Sequence, residues 1–154
     1  MKPSQQQLDK MLQHCKEAFN KAGVKLTPQR FEVFREVALS RKHPDAAMVH
    51  NGVRQRMPSL SLDTVYRTLW LLSDLGLFTT ISPSRDCTRF DANPARHHHF
   101  ICNKCSLICD FCNNEFNNLK IPKHVKSLGE ILTTNVEIRG ICRGCLTNKR
   151  RNHA

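Results

Sequence analysis

Apolar residues recur every three or four positions along the first part of the chain, a spacing that predicts amphipathic helices. The first helix is expected over residues 4–22, with Gly23 ending it. The second is expected to begin at Thr27, an N-cap residue, with Pro28 in its first turn. The apolar positions of the two helices are Leu8, Met11, Leu12, Cys15, Phe19, Ala22, Phe31, Phe34 and Val37. One face of each helix is therefore expected to lie in a common core.

Two further helices follow, and each opens with a side chain that can cap its first turn. Asp45 can cap the third helix, which ends at Pro58. Ser61 can cap the fourth, which ends before Gly76 and carries Asp63 near the positive end of its dipole. The expected core positions are Met48 or Val49, Val53 and Met57 in the third helix, and Val65, Leu69, Leu72 and Leu75 in the fourth.

A β-hairpin is predicted after the fourth helix. Residues 78–81 and 88–90 are β-prone, and they flank the turn residues 83–86. Helices followed by such a hairpin are typical of a winged-helix DNA-binding domain, which we expect over residues 1–91. Residues 92–96 are expected to form a hinge, because an Asn-Pro pair there breaks regular structure.

The remaining segment, residues 97–154, has the pattern of a small α/β domain. A helix is expected near Pro122, with Val125 and Leu128 directed inward. The predicted strands are 100–101, 107–111 and 136–138. The fold class is therefore α+β, a winged helix followed by a small α/β domain. So small a core is usually supported by a metal ion or a second subunit.

The net charge of the chain indicates a class of binding partner. The chain has 24 Lys and Arg against 13 Asp and Glu, a formal net charge of +11. Such a surplus attracts polyanions and makes their binding salt-dependent, so nucleic acid is the leading partner. No apolar run approaches the length of a membrane span, and the first residues lack the apolar core of a signal peptide. We therefore expect a cytoplasmic protein with no membrane partner.

Six of the eight cysteines form three Cys-x-x-Cys pairs, a spacing that lets both thiolates of a pair reach one zinc ion. Cys102 with Cys105, and Cys142 with Cys145, come from distant parts of the sequence. Four thiolates from two such pairs are what a tetrahedral Zn²⁺ needs to join two chain segments. We predict that these four cysteines hold one structural zinc ion per subunit.

The third pair, Cys109 and Cys112, leaves an alternative open. Together with the first pair it can in principle form a local four-thiolate site, and a dithiol redox role is a further possibility. We prefer the distant pairs because the third pair flanks an extended run, where neighbouring knuckles would be sterically awkward. Cys15 is expected to be a small buried hydrophobe on the apolar face of the first helix.

Three consecutive histidines precede the first cysteine pair. Alternate side chains of an extended segment share a face, so His97 and His99 can bind one ion while His98 points away. Asp91 and Asp110 can add carboxylates, and a nitrogen and oxygen ligand set suits Fe²⁺, Mn²⁺ or Zn²⁺. A second metal site is one interpretation of this cluster, and a solvated histidine stretch is the other.

Motifs in order along nearly the whole chain resemble those of the ferric uptake regulator (Fur) family. They are Leu26-Thr27-Pro28-Gln29-Arg30, His43-Pro44, Thr64-Val65-Tyr66-Arg67-Thr68-Leu69, Arg89-Phe90-Asp91, His97-His98-His99-Phe100-Ile101-Cys102 and the two cysteine pairs predicted to bind zinc. The resemblance implies an N-terminal winged helix and a C-terminal α/β dimerisation domain. It also implies that a homodimer binds palindromic double-stranded DNA operators when metal is present.

The resemblance further implies a regulatory metal site. Carried over position by position, its ligands are His43, Asp91, His97, His99 and Asp110. A ligand set drawn from both domains is a switch, because metal binding then favours one orientation of the two reading helices of a dimer. One Fe²⁺ or Mn²⁺ ion per subunit is implied.

Asp110 distinguishes two branches of the family. The peroxide-sensing branch usually has aspartate at this position, and the iron-sensing branch usually has glutamate. In the peroxide-sensing branch, bound Fe²⁺ reacts with hydrogen peroxide and oxygen is added to a ligand histidine, for which His43 and His97 are the matching positions. That oxidation releases the operator, whereas Mn²⁺ sustains DNA binding without it.

Two other functions compete with this one. A repressor that responds reversibly to iron or zinc is the alternative within the family. A zinc or thiol-redox enzyme is the alternative from another class, and it is disfavoured because a closed four-thiolate site has no open coordination position. The sequence also departs from the family, since Thr133, Thr134 and Asn135 stand where many relatives have a histidine of an additional metal site.

The fourth helix is expected to enter the major groove of DNA. Tyr66 and Arg67 match family positions that contact DNA, and Ser61, Asp63 and Thr64 lie beside them in the helix's N-terminal half. Asp63 is unusual because relatives often have alanine there. Further candidate contacts to phosphate are Arg85, Arg89, Lys16, Lys21 and Lys25.

Overall fold

A computed structural model of the chain describes residues 4–40, 42–84 and 87–151. The chain divides into two compact units, Met1–Pro94 and Ala95–Ala154, and each is described by itself. The division falls inside the segment predicted as a hinge. Arg85, a predicted phosphate contact, lies outside the described residues.

The first unit contains four helices, as predicted. They are α1 (Gln5–Lys21), α2 (Pro28–Leu39), α3 (Ala46–Arg54) and α4 (Leu62–Asp74). The three predicted caps are confirmed, because Thr27, Asp45 and Ser61 each accept a hydrogen bond from a backbone N–H in the first turn of the following helix. Gly23 and Gly76, the predicted stops, both adopt left-handed backbone conformations, with φ of 66° and 71°. No helix in the described part of the chain is both long and apolar enough to cross a membrane.

The apolar faces of these helices meet in one core. Phe19, Val65 and Leu69 are fully buried in it. The ring of Phe34 stacks on that of Phe78, with centroids 5.5 Å apart, and so joins α2 to the chain that follows α4.

The sequence predicts either Met48 or Val49 at the core position of α3. Val49 is fully buried, whereas Met48 is 38% exposed. The sulfur of Met48 instead lies 3.0 Å from a guanidinium nitrogen of Arg89. Val49 therefore takes the core position.

The predicted hairpin is also confirmed, and it is longer than the β-prone runs suggest. Strand β1 (Thr79–Ser84) pairs antiparallel with β2 (Cys87–Asp91). Phe90 and Asp91, at the end of β2, are buried. The hairpin thus contributes both an apolar and an ionisable side chain to the interior of the first unit.

The second unit is a three-stranded sheet with short helices. Strand β3 (His98–Cys102) lies in the middle, antiparallel to β4 (Ile108–Phe111) and parallel to β5 (Glu137–Gly140). The helices are α5 (Asn114–Asn117), α6 (Lys123–Lys126) and α7 (Arg143–Arg151). The buried side chains of this unit, among the described residues, are His97, His98, Ile101, Cys102 and Ile108. So few buried apolar groups confirm that the unit has little core of its own.

One expectation for the second unit is wrong, and two of its helices, α5 and α7, were not predicted. Leu128 was expected to point inward from the helix near Pro122, but it is 83% exposed because α6 spans four residues and ends before it. The helix α7 was not predicted, because Cys142 and Cys145 were interpreted only as metal ligands and the segment between them as a knuckle.

Two of the leucines of α4, Leu69 and Leu62, differ in burial and provide a test of this core. Leu69→Ala is expected to lower the free energy of unfolding by about 2–5 kcal/mol, because the side chain is fully buried. Leu62→Ala, at a position 46% exposed in the same helix, is the matched control and should change it by less than about 0.5 kcal/mol. Urea unfolding followed by the fluorescence of Trp70, the single tryptophan, measures both. Equal losses would contradict the assigned packing.

Candidate metal centres and nucleic-acid interface

The two predicted zinc-binding cysteine pairs meet at one edge of the second unit. Cys102 ends β3, and Cys142 follows the end of β5. Because β3 and β5 run parallel, with Cys102 opposite Gly140, both strands end on the same side of the sheet. The sulfurs of Cys102, Cys105, Cys142 and Cys145 all lie within 4.8 Å of one another.

The spacing of these sulfurs fits a tetrahedral metal ion. Metal–sulfur bonds of about 2.3 Å in a regular tetrahedron place the sulfurs about 3.8 Å apart. The Sγ atoms of Cys105 and Cys142 are 3.7 Å apart. The backbone N–H of Cys142 also donates to Cys102 Sγ at 3.3 Å, which favours a thiolate at that position.

The protonation of the cluster supports the same conclusion. Donation from the backbone N–H groups of Cys142 and Cys105 lowers the pKa of the Cys102 thiol to about 6. The pKa of Cys145 is raised to about 12, first by its hydrogen bond with Cys105 and then by burial and the other sulfurs. Four crowded thiols cannot all ionise unless a cation offsets their charge, and a divalent ion does so. The donor set therefore fits Zn²⁺.

The other cysteines lie outside this cluster. Cys109 and Cys112 are exposed, and Cys112 lies against the carbonyl oxygen of Arg96, with 3.9 Å between sulfur and oxygen. The structure thus brings together the two distant pairs and not the local alternative. Cys15 is buried in the first unit, as predicted, and burial raises the pKa of its thiol to about 11, so it is protonated at neutral pH.

The second unit also brings two of the three histidines together with a carboxylate. His97 Nε2 and His99 Nε2 are 2.9 Å apart. Asp110 Oδ1 lies 3.5 Å from the His99 nitrogen and 3.9 Å from that of His97. The sheet explains this grouping, because His99 and Asp110 are directly opposite each other on paired strands.

The hydrogen bond of His97 leaves its Nε2 available to bind a metal ion. Its Nδ1 lies 2.6 Å from the carbonyl oxygen of Ala95, so Nδ1 carries the proton and Nε2 presents a lone pair towards His99. Two imidazole nitrogens bound at adjacent positions of an ion, at about 2.1 Å each, are about 3 Å apart. The observed separation fits such an ion.

His98 lies on the opposite face of β3, as the alternation of strand side chains predicts. It is fully buried, and its ring packs against those of Phe111 and Phe116, with centroids 5.5 and 5.7 Å apart. Its Nδ1 accepts a hydrogen bond from the backbone N–H of Val136 at 3.3 Å. His98 is therefore part of the packing of this unit.

The first unit holds the two other predicted ligands as a buried pair. His43 Nε2 lies 3.9 Å from Asp91 Oδ1. His43 also has a left-handed backbone, with φ of 44°. In a residue other than glycine that conformation costs about 1–3 kcal/mol and is concentrated at functional sites, because surrounding contacts must enforce it.

Three consecutive residues of β2 provide those contacts, an arrangement that we call the β2 clamp. The three contacts are Arg89 with Asp45, Phe90 with Pro44, and Asp91 with His43. Arg89 Nη1 lies 3.4 Å from Asp45 Oδ2, and the Phe90 N–H donates to the Pro44 carbonyl at 3.0 Å. Residues 43–45, directly before α3, are thus held against β2.

The β2 clamp changes the role expected for Arg89. Its side chain is only 18% exposed, and its charge is paired with Asp45. A largely buried guanidinium that is paired with a carboxylate is poorly placed to contact phosphate. Lys16, Lys21 and Lys25 are exposed, as phosphate contacts would have to be.

The predicted reading helix α4 presents an exposed polar surface. Tyr66 is 48% exposed, and the Arg67 side chain is 80% exposed. Ser61 is occupied by capping: its Oγ accepts from the Thr64 N–H at 3.2 Å and lies 2.8 Å from Thr64 Oγ1. Tyr66 and Arg67 are therefore better placed than Ser61 to reach a duplex.

Sequence reasoning missed a row of aromatic rings in the first unit. The ring of Trp70 meets that of Tyr66 edge to face at 6.2 Å and that of Phe90 at 6.0 Å. The spacing of four residues between Tyr66 and Trp70 could have indicated the first contact. The second depends on how β2 packs, which the sequence does not specify. Trp70 thus connects the reading helix to the β2 clamp.

Known proteins resemble this chain in both sequence and structure. The sequence model of the ferric uptake regulator family matches residues 21–139. The chain is 30% identical over 139 residues to the peroxide-responsive repressor PerR of Staphylococcus epidermidis, an alignment that covers 90% of this chain and 92% of that protein. The structure of the Helicobacter pylori ferric uptake regulator is similar with a TM-score of 0.75 and 22% identity, over 95% of this chain and 97% of that one. The structure of PerR from Streptococcus pyogenes is similar with a TM-score of 0.51 and 24% identity, over 88% and 92%.

These similarities confirm the predicted fold class, a winged helix followed by a small mixed domain with a four-cysteine cluster. Proteins of the matching family are metal-responsive transcription regulators and not enzymes, and they bind DNA as dimers.

The four-cysteine cluster can be tested with cobalt in place of zinc. Apo-protein kept reduced should bind one Co²⁺ at the cluster with the charge-transfer absorption of a tetrahedral thiolate site. Cys142→Ser should lose that absorption together with the circular dichroism of the second unit, because the unit has little core. Cys109→Ser is the control and should retain both. If Cys109→Ser lost the cobalt site and Cys142→Ser kept it, the local alternative would be correct.

Proposed function

The chain belongs to the ferric uptake regulator family, and from that premise we propose that it is a repressor that senses hydrogen peroxide through a metal-bound histidine. One observation carries this proposal: Asp110, the residue usual in the peroxide-sensing branch, lies opposite His99 beside a histidine pair with ligand spacing. Curated relatives at 30% identity are themselves named peroxide-responsive repressors.

The proposed regulatory ion is bound by His43, Asp91, His97, His99 and Asp110. His43 and Asp91 form a buried pair in the first unit, and the other three residues form a ligand group in the second. Three imidazoles and two carboxylates suit Fe²⁺ or Mn²⁺. We propose one such ion per subunit.

The proposed structural ion is Zn²⁺, one per subunit, held by Cys102, Cys105, Cys142 and Cys145. Its function is to stabilise the second unit, since binding energy at such sites is folding energy, about 10–16 kcal/mol in zinc-finger peptides. Free thiols and a thiolate site persist only under reducing conditions, so we place the protein in the cytoplasm.

Iron bound at the regulatory site would supply the one-electron chemistry that cleaves the O–O bond of hydrogen peroxide. In the net reaction one oxygen atom of the peroxide is inserted at an imidazole C–H bond, and the other oxygen leaves as water. The residues that are candidates for this oxidation are His43 and His97. Both side chains are buried.

Oxidation of His97 has a direct consequence for metal binding. An imidazole oxidised at the carbon between its nitrogens carries a proton on both of them. The Nδ1 proton can still be donated to the Ala95 carbonyl, but Nε2 loses the lone pair that binds the metal. The ligand is therefore lost while the hydrogen bond that orients the ring is kept.

DNA binding is proposed through α4, with Tyr66 and Arg67 reaching the major groove and the exposed lysines of α1 and the following turn contacting phosphate. We propose that a homodimer presents two such helices to a palindromic operator. Metal loss weakens binding in this scheme because the regulatory ligands come from both units and hold the reading helices in register.

The peroxide reaction can be tested by mass spectrometry. Protein loaded with zinc and Fe²⁺ and treated with stoichiometric peroxide should gain one oxygen atom on His43 or His97 and lose DNA binding in parallel. The Mn²⁺-loaded protein is the matched control and should gain none. His124, exposed on α6, serves as an internal control within each sample. Reversible metal-dependent binding that survives peroxide with unmodified histidines would instead establish the iron- or zinc-responsive alternative.

A conservative change tests the role of Asp110. Asp110→Glu introduces the residue usual in the iron-sensing branch, and it should preserve metal-dependent DNA binding while strongly reducing histidine oxidation. Asp110→Asn removes the carboxylate charge but keeps the size of the side chain, and it should weaken Mn²⁺ binding. Mn²⁺ affinity and the oxidised fraction, measured on the same preparations, distinguish the two effects. Unchanged oxidation in Asp110→Glu would contradict the branch assignment.

A further inference from the structure

An ion pair lies on the exposed surface of the reading helix. Arg67 Nε is 3.0 Å from Asp63 Oδ2, one helical turn earlier in α4. Both side chains are largely exposed, 80% for Arg67 and 70% for Asp63. Asp63, Thr64 and Arg67 also share one groove of the first unit, beside the start of α2.

Asp63 stabilises the positive end of α4 modestly, and its pair with Arg67 adds little more. Exposed ion pairs contribute little to folding, because water and salt screen them and two long side chains lose freedom. The first turn of α4 is already capped by Ser61, so Asp63 is not needed there as a cap. In a chain of net charge +11, a carboxylate on the DNA-reading helix also repels the phosphates that the other residues attract.

We propose that Asp63 is a specificity-determining residue that fixes how Arg67 reads a base, an inference that rests on the proposed DNA binding by α4. A guanidinium has two ways to donate two parallel hydrogen bonds: through Nε with one terminal nitrogen, or through both terminal nitrogens. The Asp63 carboxylate lies against the Nε side of the guanidinium, which leaves the two terminal nitrogens available to a base. That end of the guanidinium matches O6 and N7 of guanine.

Asp63 also restricts the choice of base in a second way. One carboxylate oxygen lies beside Arg67 Nε, and the other can accept a hydrogen bond from the N4 amino group of cytosine. The carboxylate repels the acceptor edges of guanine and thymine at that position. The pair is thus expected to read guanine through Arg67 next to, or paired with, a cytosine that faces Asp63.

The competing interpretation is that Asp63 only reduces affinity for every duplex by electrostatic repulsion. In that case its removal raises affinity for all sequences equally and leaves the base preference unchanged. In the proposed role its removal raises affinity for non-specific duplex but reduces discrimination at one base pair of each half-site. The base profile therefore separates the two interpretations.

The test begins with the full-length, zinc-loaded, Mn²⁺-loaded protein and selection from a random duplex library. Binding of the selected duplex and of its single-base-pair substitutions is then compared for the wild type, Asp63→Ala, Asp63→Asn, Arg67→Ala and the Asp63→Ala/Arg67→Ala double variant. Asp74→Ala, which removes the other carboxylate of α4 at its opposite end, is the matched control. Circular dichroism and zinc content verify that each variant is folded.

We expect the wild type to prefer guanine at one position of each half-site. Asp63→Ala and Asp63→Asn should reduce that preference by roughly 5-fold or more, the scale of one bidentate base contact, and should leave the other positions unchanged. Arg67→Ala should lose the same preference, and adding Asp63→Ala to it should change that position no further. Asp74→Ala should match the wild type.

Two outcomes overturn the inference and are distinguishable. If Asp63→Ala binds every duplex more tightly with an unchanged base profile, Asp63 is only a repulsive charge, and the proposed function stands. If the metal-loaded wild type selects no sequence at all, the proposed function fails and the inference fails with it.

Discussion

The parallel pairing of β3 with β5 is the constraint on which the second unit depends. It places Cys102 and Cys142 on one side of the sheet, where four sulfurs gather within 4.8 Å of one another. The same strand β3 carries His99, held opposite Asp110 by its other neighbour, β4. In this unit, which buries few apolar side chains, the register of β3 brings both ligand groups together. The zinc ion proposed at the four sulfurs would in turn stabilise that register.

In the first unit β2 has the corresponding role. The β2 clamp holds the loop that contains His43 and enforces its left-handed backbone, while Phe90 packs on Trp70 and Trp70 on Tyr66. A proposed metal ligand pair and a proposed DNA-reading residue thus lie on one packed set of side chains. Asp91 is adjacent in β2 to Phe90, which contacts Trp70 of α4.

Local signals in the sequence predicted most of this fold. Helical periodicity and capping side chains act over a few residues, so the four helices and their starts could be read directly, as could the cysteine pairs. Features that depend on distant partners could not. The interior position of Arg89 requires Asp45 to be nearby, the exposure of Leu128 follows from the early end of α6, and the grouping of His99 with Asp110 requires the strand register.

We propose that one regulatory ion takes its ligands from both units. Pulsed electron paramagnetic resonance of the Mn²⁺- and zinc-loaded full-length chain, with histidines labelled with ¹⁵N, counts the imidazoles bound to manganese. We expect three in the wild type and two in both His43→Ala and His99→Ala, with manganese still bound at high concentration. A wild-type spectrum retained in full by His43→Ala would contradict it, because the first unit would then contribute no histidine to the ion.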